Sequence, residues 1–349
     1  MTGWVYREYS KGEIDRAGHL CVPWWTGGDI PDGLGNAFMI IENWRTSHSL
    51  PLNTFNIDLR RRARKVEADV IVAQRLKRFI SVMNKLVREP HMKLSQMHDL
   101  GGCRAILSNV AAVNALYEMY RGNQPQFESG GKFKAYDYIK NPKADGYRGI
   151  HIVGRYLARR NSSKPWQGHR IEIQLRTRLQ HAFATAVETV TTFTRQPLKF
   201  GDGPPEWRRF FSLMGSALAL REGTPLVEGT PQDEAELIRA LRDTTEELSV
   251  RQRLQGWTDA LKLLPRKNIK GYKWLLLVLN TAENTFKVTG YADRNEASQK
   301  LSEIEQLKRE ELDAVLVWVS SATKLRAAYP NYYADTREFI AALDTALGS

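Results

Sequence analysis

Apolar and polar residues alternate most regularly at residues 169–177, HRIEIQLRT, where Ile171, Ile173 and Leu175 are separated by polar residues. This period of two predicts a β-strand with one buried face and one polar face. Earlier in the chain, helical periodicity predicts two helices within residues 31–65, broken near Pro51, and a further helix at about 68–88. Helices and strands in this mixed order predict an α/β core.

The second half of the chain contains two stretches rich in Gly and Pro, at 200–207 and 222–233, which we interpret as loops that end a first domain. A helical segment to about residue 264 follows. From Tyr272 onward the pattern predicts strand, strand, helix, strand, helix and a last short helix, which together form a small ββαβα unit. We therefore predict domains at 1–222 and 272–349, joined by a helical linker at 223–271.

Net charge, apolar content and cysteine count indicate which kinds of partner this protein can bind. The formal charge of +12 and the pI of about 9.6 favour polyanionic partners, although a basic surface without a specific ligand is the alternative. The longest apolar runs, such as 274–279, are too short to span a bilayer, and the N-terminus lacks an apolar secretion segment. We expect a cytoplasmic protein with no membrane partner. Cys21 and Cys103 cannot form a four-cysteine zinc site, so we expect no zinc.

A basic stripe lies on the helix predicted at 68–88. At 100° per residue, Lys77, Arg78, Ser81 and Lys85 share one face, and Arg75 lies at its boundary. Arginine forks, lysine ammonium groups and a hydroxyl together suit a triphosphate chain. The same stripe could also be an ordinary solvated helix face.

Two acidic residues adjoin strand patterns. Asp99 precedes two glycines and Arg104 in MHDLGGCRAILS, and it could bind Mg²⁺ or cap a turn. Glu172 lies on the polar face of HRIEIQLRT, where it could hold Mg²⁺ or accept a proton from an attacking hydroxyl. Gln174 and Arg176 share that face, and Arg176 could stabilise phosphate charge. A polar face on an edge sheet, without chemistry, is the alternative.

The segment AYDYIKNPKADGYRGIH is a third candidate element. Gly146 allows the chain to turn freely, so that Tyr147 can be presented as a stacking surface for a base. Lys143 and His151 would then lie within reach of phosphates. Alternatively, Tyr147 packs the loop onto the core. His181, on the helix that follows 169–177, could border the same pocket or be a structural histidine.

Four segments in this order, RLKRFISVMNKL, HDLGGCRAI, DYIKNPKADGYRGIH and IEIQLRTRLQHAFA, resemble the synthetase domain of the RelA/SpoT family over about residues 75–193. The resemblance implies a nucleotidyltransferase-like mixed sheet flanked by helices, an α/β (α+β) fold, and ATP-dependent, Mg²⁺-dependent pyrophosphate transfer. It assigns Glu172 as base and metal ligand, Asp99 as metal ligand and Tyr147 as the residue that stacks the acceptor. The other implied residues are Arg75, Lys77, Ser81, Lys85, Arg104 and Arg176 for ATP, and Lys143, His151 and Gln174 for the acceptor.

This sequence departs from the family pattern at two positions. Gly149 replaces the serine of the family loop, and Phe183 replaces a tryptophan common after the strand. The first change concerns the acceptor, so GTP or GDP is not assumed. We see no hydrolase sequence before the synthetase region, and we therefore do not expect degradation activity.

The ββαβα unit resembles the zinc-finger domain of long Rel proteins without its Cys and His ligands, and it is followed by a Tyr-x-x-Tyr element, Tyr329 and Tyr332. This combination is similar to the CapRel-like group of toxic small alarmone synthetases, which are fused toxin–antitoxin proteins of phage defence. The resemblance implies pyrophosphorylation of the tRNA 3′ CCA end, autoinhibition through the paired tyrosines, and release by a phage capsid protein. The tyrosines could instead pack a terminal helix.

Three functions therefore stay open. The first is a tRNA-modifying toxin, which suits the basic run at residues 60–65. The second is an alarmone synthetase that uses GTP, GDP or adenine nucleotides. The third is a non-catalytic regulator that binds RNA or protein, for which Asp99 and Glu172 would be dispensable.

Overall fold

The computed structural model describes residues 4–77, 79–122, 133–194, 203–263, 272, 274–280, 283, 285–293, 296–297, 299–300, 303–304, 312–318 and 336–348. They form two compact units, one of residues 1–137 and 149–178 and the other of residues 138–148 and 179–349. None of the helices in these ranges is long and apolar enough to cross a membrane. The predicted domain boundaries stay a prediction.

Regular elements of the first unit follow the chain in this order: α1 (Lys11–Trp25), α2 (Leu34–Thr46), α3 (Ser49–Val66), β1 (Ile71–Leu76), α4 (Phe79–Arg88), β2 (Gly101–Leu107), α5 (Val110–Gly122), β3 (Lys134–Asp137), β4 (Ile150–Arg155) and β5 (Arg170–Thr177). The five strands form one sheet in the order β1-β2-β5-β4-β3. Strands β2 and β5 run parallel, and the other neighbours are antiparallel. The predicted α/β fold with a mixed sheet flanked by helices is confirmed.

Strand β5 has the two faces that its alternation predicts. Ile171, Ile173 and Leu175 are fully buried, while Glu172 and Gln174 are partly exposed. A Cβ added to Gly101, on the apolar face of β2, would lie 3.5 Å from Leu52 of α3, so this helix covers that face. The opposite face is polar.

One predicted element is wrong. Residues 71–76, which we assigned to the helix at 68–88, form strand β1, and the helix begins only at Phe79. Strand β1 pairs antiparallel with β2, from Ile71 opposite Ile106 to Leu76 opposite Gly101. This pairing, together with the β-branched Ile71 and Val72, outweighs the helical pattern. Arg75 therefore lies on a strand.

The two helices predicted within 31–65 are present as α2 and α3, but their junction is at residues 47–48. Pro51 lies in the first turn of α3, where a missing N–H does no harm. Helix α1 was not predicted, although Ser10 and Glu13 form a capping box at its start. Helices α1, α2 and α4 share an apolar core that includes Ile14, Ile41 and Met83.

The basic run at 60–65 is not uniformly a surface feature. Arg62 is buried, and its Nε donates to Asp58 Oδ2 at 2.7 Å. Its Nη1 also donates to the carbonyl of Met119 at 2.6 Å, and its guanidinium lies 4.8 Å from the centre of the Tyr120 ring. Arg62 thus joins α3 to α5, and the exposed cations of the run are Arg60, Arg61, Arg64 and Lys65.

Two histidines are buried together between α2 and the start of β5. The rings of His48 and His169 lie 4.6 Å apart, and each Nδ1 donates to a backbone carbonyl, that of Trp44 or Trp166, at 2.8 Å. Burial lowers the pKa of His48 to about 4. Burial, followed by the charge of His48, lowers the pKa of His169 to about 2. Both imidazoles are therefore neutral in the folded protein at pH 7.

Acid should destabilise the protein through these histidines. The ordinary pKa is 6.5, so below that pH the unfolded chain binds protons that the folded chain does not. For His48 alone, the free energy of unfolding should fall by about 3 kcal/mol as the pH drops from about 6.5 to 4. Urea denaturation of the parent and of His48→Phe at several pH values measures this. An equal acid slope in both proteins would contradict it.

The second unit is built from helices and a small sheet: α6 (Arg178–Thr194), α7 (Pro205–Glu222), α8 (Glu234–Glu247), α9 (Val250–Leu263), β6 (Trp274–Asn280), β7 (Thr285–Tyr291), β8 (Leu312–Trp318) and α10 (Arg337–Leu347). The strands predicted after Tyr272 are confirmed, and they form an antiparallel sheet in the order β7-β6-β8. The stretch 200–207 is only partly a loop, because α7 begins at Pro205 and buries Trp207.

Helix α10 at the C-terminal end belongs to the main helical core of this unit. Phe339 and Leu343 are fully buried in one apolar cluster with residues of α6, α7, α8 and α9. Tyr329 and Tyr332 lie outside the described residues, so their predicted inhibitory role stays a prediction.

Candidate active site

The polar face of the five-stranded sheet brings together several of the residues that the sequence singled out. In one row of paired residues, Arg75 lies opposite Gly102, which lies opposite Glu172. In the next row, Arg104 lies opposite Gln174, which lies opposite His151. Paired residues of neighbouring strands point to the same side, so these side chains share one face.

Gly102 leaves this face open at its centre. Among the described residues, the one atom that a Cβ added there would meet within 4 Å is the carbonyl oxygen of Glu172, at 3.9 Å. The flanking residues in the row are Arg75, which is exposed, and Glu172, which is partly exposed. The absence of a side chain between a cation and a carboxylate leaves space for a ligand against the backbone.

Asp99 lies between two lysines at the start of β2. Lys77 Nζ donates to Asp99 Oδ2 at 2.7 Å, and Lys85 Nζ donates to Oδ1 at 3.0 Å. Burial alone would raise the pKa of Asp99, but the charges and hydrogen bonds of the two lysines hold it well below its usual range. Asp99 is therefore ionised at neutral pH. Each ammonium carries three N–H donors, so both lysines can also bind phosphate oxygens.

Glu172 is held at both carboxylate oxygens. His151 Nδ1 lies 2.9 Å from Oε1, and the amide of Gln174 donates to Oε2 at 2.7 Å. Arg176 Nη2 donates in turn to Gln174 Oε1 at 3.0 Å. Burial by itself raises the pKa of Glu172, and the nearby charge of Asp99 raises it further. The hydrogen bond and charge of His151 outweigh these effects, so the pKa lies below its ordinary value.

His151 and Gln174 were predicted to bind the acceptor, and the structure shows that both contact the carboxylate of Glu172. Their predicted role in binding the acceptor stays a prediction. Ser81 lies on α4, one turn before Lys85, and is partly exposed. Lys143 and Tyr147 belong to the second compact unit, on the loop between β3 and β4. His181 lies on α6 of that unit and is partly buried.

Two residues near the carboxylates were missed by the sequence analysis. Arg170 Nη1 donates to the carbonyl of Gln96 at 2.5 Å and lies 3.4 Å from His98 Nδ1. Burial, followed by the charges of Arg170 and Lys85, lowers the pKa of His98, while Asp99 and Glu172 raise it. His98 precedes Asp99 directly, and Arg170 precedes Glu172 by one period of the strand. Their closeness in sequence to the two carboxylates is the signal by which His98 and Arg170 could have been predicted.

Asp99 and Glu172 are the two described carboxylates of this site that could hold a magnesium ion. Their charges are close enough to affect one another, which is why Asp99 raises the pKa of Glu172. Mg²⁺ is commonly held by one or two carboxylates together with substrate phosphates. Two ionised carboxylates thus lie among lysines and arginines, beside an open sheet face.

Residues 74–196 match the family model described as "Region found in RelA / SpoT proteins". The GTP pyrophosphokinase YwaC of Bacillus subtilis (strain 168) is 31% identical to this chain over 109 residues, which are 30% of this chain and 49% of YwaC. The chain thus spans about half the length of this curated relative. The sheet face with its carboxylates lies within the matched region.

Solved structures give a more distant likeness. The small alarmone synthetase 2 of Bacillus subtilis is 19% identical with a TM-score of 0.43, over 52% of this chain and 94% of its own. A GTP pyrophosphokinase family protein from Streptococcus pneumoniae is 21% identical with a TM-score of 0.39, over 49% of this chain and 84% of its own. At TM-scores below 0.5, these likenesses carry no weight in assigning site residues.

Proposed function

We propose that this protein is an ATP-dependent pyrophosphokinase, which transfers the β,γ-pyrophosphate of ATP to a hydroxyl group. The observation that carries the proposal is the ionised Glu172 on the face that also bears Arg75 and Arg104, with the ionised Asp99 close to it at the start of β2. The match of residues 74–196 to the RelA/SpoT region supports it. A passive binding module would have no need of two partly buried, ionised carboxylates.

Glu172 acts as the general base in this proposal. It takes the proton of the acceptor hydroxyl, whose oxygen forms a bond to the β-phosphorus as the bond from that phosphorus to the α-phosphate oxygen breaks. AMP leaves, and the proton stays on Glu172. His151 and Gln174 fix the carboxylate in place. Lys77, Lys85 and the arginines of the sheet face bind the phosphate oxygens.

Asp99 and Glu172 would hold Mg²⁺. When bound there, the ion neutralises phosphate charge that the cations leave uncompensated. Lys77 and Lys85 hold the pKa of Asp99 well below its usual range, so this carboxylate is ionised at neutral pH without the ion.

For the acceptor, we propose the 3′ hydroxyl of the tRNA CCA end. The exposed cations Arg60, Arg64 and Lys65 on α3, together with the net charge of +12, favour a long polyanion over a small one. The second candidate is a guanine nucleotide, which is favoured by the similarity to a GTP pyrophosphokinase. The product in that case would be an alarmone.

The two acceptors are separated by incubating the protein with γ-labelled ATP, Mg²⁺ and either deacylated tRNA or GDP and GTP, at several salt concentrations. We expect label in tRNA, with transfer that falls steeply as salt rises, because many phosphate contacts are lost together. Replacing Arg60, Arg64 and Lys65 with Gln should lessen that dependence. Label in a guanosine product, insensitive to salt, would establish the second candidate.

Tyr147→Ala tests the predicted stacking of the acceptor base. Loss of one stacked base, worth about 1–3 kcal/mol, should raise the KM for the acceptor roughly 5- to 150-fold and leave the KM for ATP unchanged. Tyr147→Phe keeps the ring and should retain most activity. An unchanged KM for the acceptor in Tyr147→Ala would remove this loop from the mechanism.

We further propose that the C-terminal region restrains the enzyme through Tyr329 and Tyr332 and that a phage capsid protein releases it. Replacing both tyrosines with Ala should then raise the rate of label transfer without any activator. Truncation before Tyr272 is a poorer test, because it removes Phe339 and Leu343 from the core of α6, α7 and α8. A double variant no more active than the parent would count against this restraint.

A further inference from the structure

The loop at residues 138–148 has a fixed internal geometry. The Gly146 N–H donates to the carbonyl of Lys143 at 2.9 Å, and the Tyr147 N–H donates to Asp145 Oδ1 at 3.0 Å. The Lys143 ammonium lies 4.5 Å from the centre of the Tyr138 ring and 5.3 Å from that of Tyr147. The two rings meet edge to face at 5.9 Å. The loop therefore carries Tyr147 in a defined position.

Helix α7 supports this loop through contact between two glycines. A Cβ on Gly215 of α7 would lie 2.6 Å from Gly146 Cα, so no larger residue fits without displacing the loop. Gly146 has a φ of +82°, and a Cβ there would lie 2.4 Å from the carbonyl oxygen of Phe211 and 2.9 Å from the Phe183 ring. Backbone thus rests directly on backbone.

Arg148 adds a polar contact between the same two elements. Its Nε donates to the carbonyl of Gly215 at 3.3 Å, and the residue is 2% exposed. Burial lowers the pKa of Arg148 to about 10, although the charge of Glu222 raises it. This buried hydrogen bond connects residues 146–148 to the turn of α7 that contains Gly215.

Helix α10 packs on the residues that touch Gly146. The ring of Phe339 lies 6.1 Å from that of Phe211 and 6.3 Å from that of Phe183. Phe339 is fully buried. Since protein cores are close-packed and transmit small displacements, a change at Phe339 reaches Gly146 through only one intervening layer of side chains.

We propose that Gly215 of α7 and Phe339 of α10 are positioning residues for acceptor binding, which act through Gly146 on the loop that bears Tyr147. The inference rests on the proposed function, because it takes Tyr147 as the residue that stacks the acceptor. It assigns a share in selecting the acceptor to α10, which is distant in sequence from the matched region 74–196. A misplacement of about 1 Å can cost roughly a hundredfold in rate.

The test compares Phe339→Leu with Leu343→Ala. Leu343 lies one turn further along α10 and is equally buried, so both variants should lower the Tm. Only Phe339→Leu should raise the KM for the acceptor, by about tenfold or more, with the KM for ATP unchanged. Hydrogen exchange at residues 143–148 is measured in parallel, and it should lose protection in Phe339→Leu alone.

Two results would overturn the inference, and they differ in meaning. Unchanged exchange at residues 143–148 in Phe339→Leu would show that α10 does not position the loop. Lost protection with an unchanged KM for the acceptor would show that the loop moves but does not bind the acceptor, and the assignment of Tyr147 would fail with it. If Phe339→Leu does not fold, Phe339→Met keeps more of the packing volume and is measured in the same way.

Discussion

Glu172→Gln should lower kcat by about 10²- to 10⁴-fold, the range that a general base contributes. Gln keeps the size of the side chain but cannot take up the proton of the acceptor hydroxyl. It can still accept a hydrogen bond from Gln174 or His151, which now reach Glu172 at 2.7 and 2.9 Å. The KM for ATP should change far less than kcat, because most cations of the site remain.

The control for this variant is Glu89→Gln. Glu89 is a partly exposed carboxylate just after α4, where it pairs with Arg88 at 3.2 Å. Its loss should leave kcat within about twofold, since exposed ion pairs contribute little. Steady-state kinetics and the Tm of both variants are compared with the parent. Retention of most of the parent kcat by a folded Glu172→Gln protein would exclude Glu172 as the base.

Asp58→Ala should lower the free energy of unfolding by about 3–5 kcal/mol. Asp58 accepts from Arg62 Nε and Arg61 Nη2, both at 2.7 Å, and its side chain is only 4% exposed. Without Asp58, the buried Arg62 guanidinium keeps its charge and loses its counter-ion, which is the costly part of the change. Urea denaturation monitored by tryptophan fluorescence measures the difference.

Glu118→Ala provides the matched comparison. Glu118 pairs with Arg121 on α5 at 2.9 Å, and both side chains are about 60% exposed. Water screens such a pair, so its loss should leave the free energy of unfolding nearly unchanged. The double variant Asp58→Leu with Arg62→Met should recover much of the stability, because it removes both charges. Similar losses for Asp58→Ala and Glu118→Ala would contradict this account of the buried pair.

Strand β5 could be predicted because one of its faces is buried and the other is not. Ile171, Ile173 and Leu175 alternate with Glu172 and Gln174, and that alternation is the direct consequence of a half-buried strand. The same reasoning failed at residues 71–76. Their side chains also fit a helical face, and only the pairing with β2 decides between the two structures.

The pairing register of the strands could not be predicted from the sequence. Nothing local places Arg104 opposite Gln174 or leaves Gly102 between Arg75 and Glu172, since pairing across strands depends on the whole fold. The types of residue in the site were predictable because phosphate and magnesium require cations and carboxylates. The hydrogen-bond partners of these residues could not be predicted from the sequence. For this reason the contact of His151 with Glu172, at 2.9 Å, was not predicted.

Contacts between distant segments were the hardest to foresee. Gly146 was recognised as a turn residue, but the sequence around Gly146 and around Gly215 does not indicate that the two are in contact. Arg62 looked like one more surface cation of a basic run until α5 supplied the Met119 carbonyl and the Tyr120 ring. In both cases the residue type is explained by a contact with another element: Gly146 with α7, and Arg62 with α5.

The transfer of a pyrophosphate group is the central claim, and the fate of the two terminal phosphates of ATP tests it most directly. The purified full chain is incubated with Mg²⁺ and tRNA or GDP, in parallel with ATP labelled at the β-phosphate and ATP labelled at the γ-phosphate. Our account predicts that both labels enter the acceptor in equal amounts and that AMP forms in the same amount. Transfer of the γ label alone with formation of ADP would make the protein an ordinary kinase, and label in neither acceptor would remove the proposed activity.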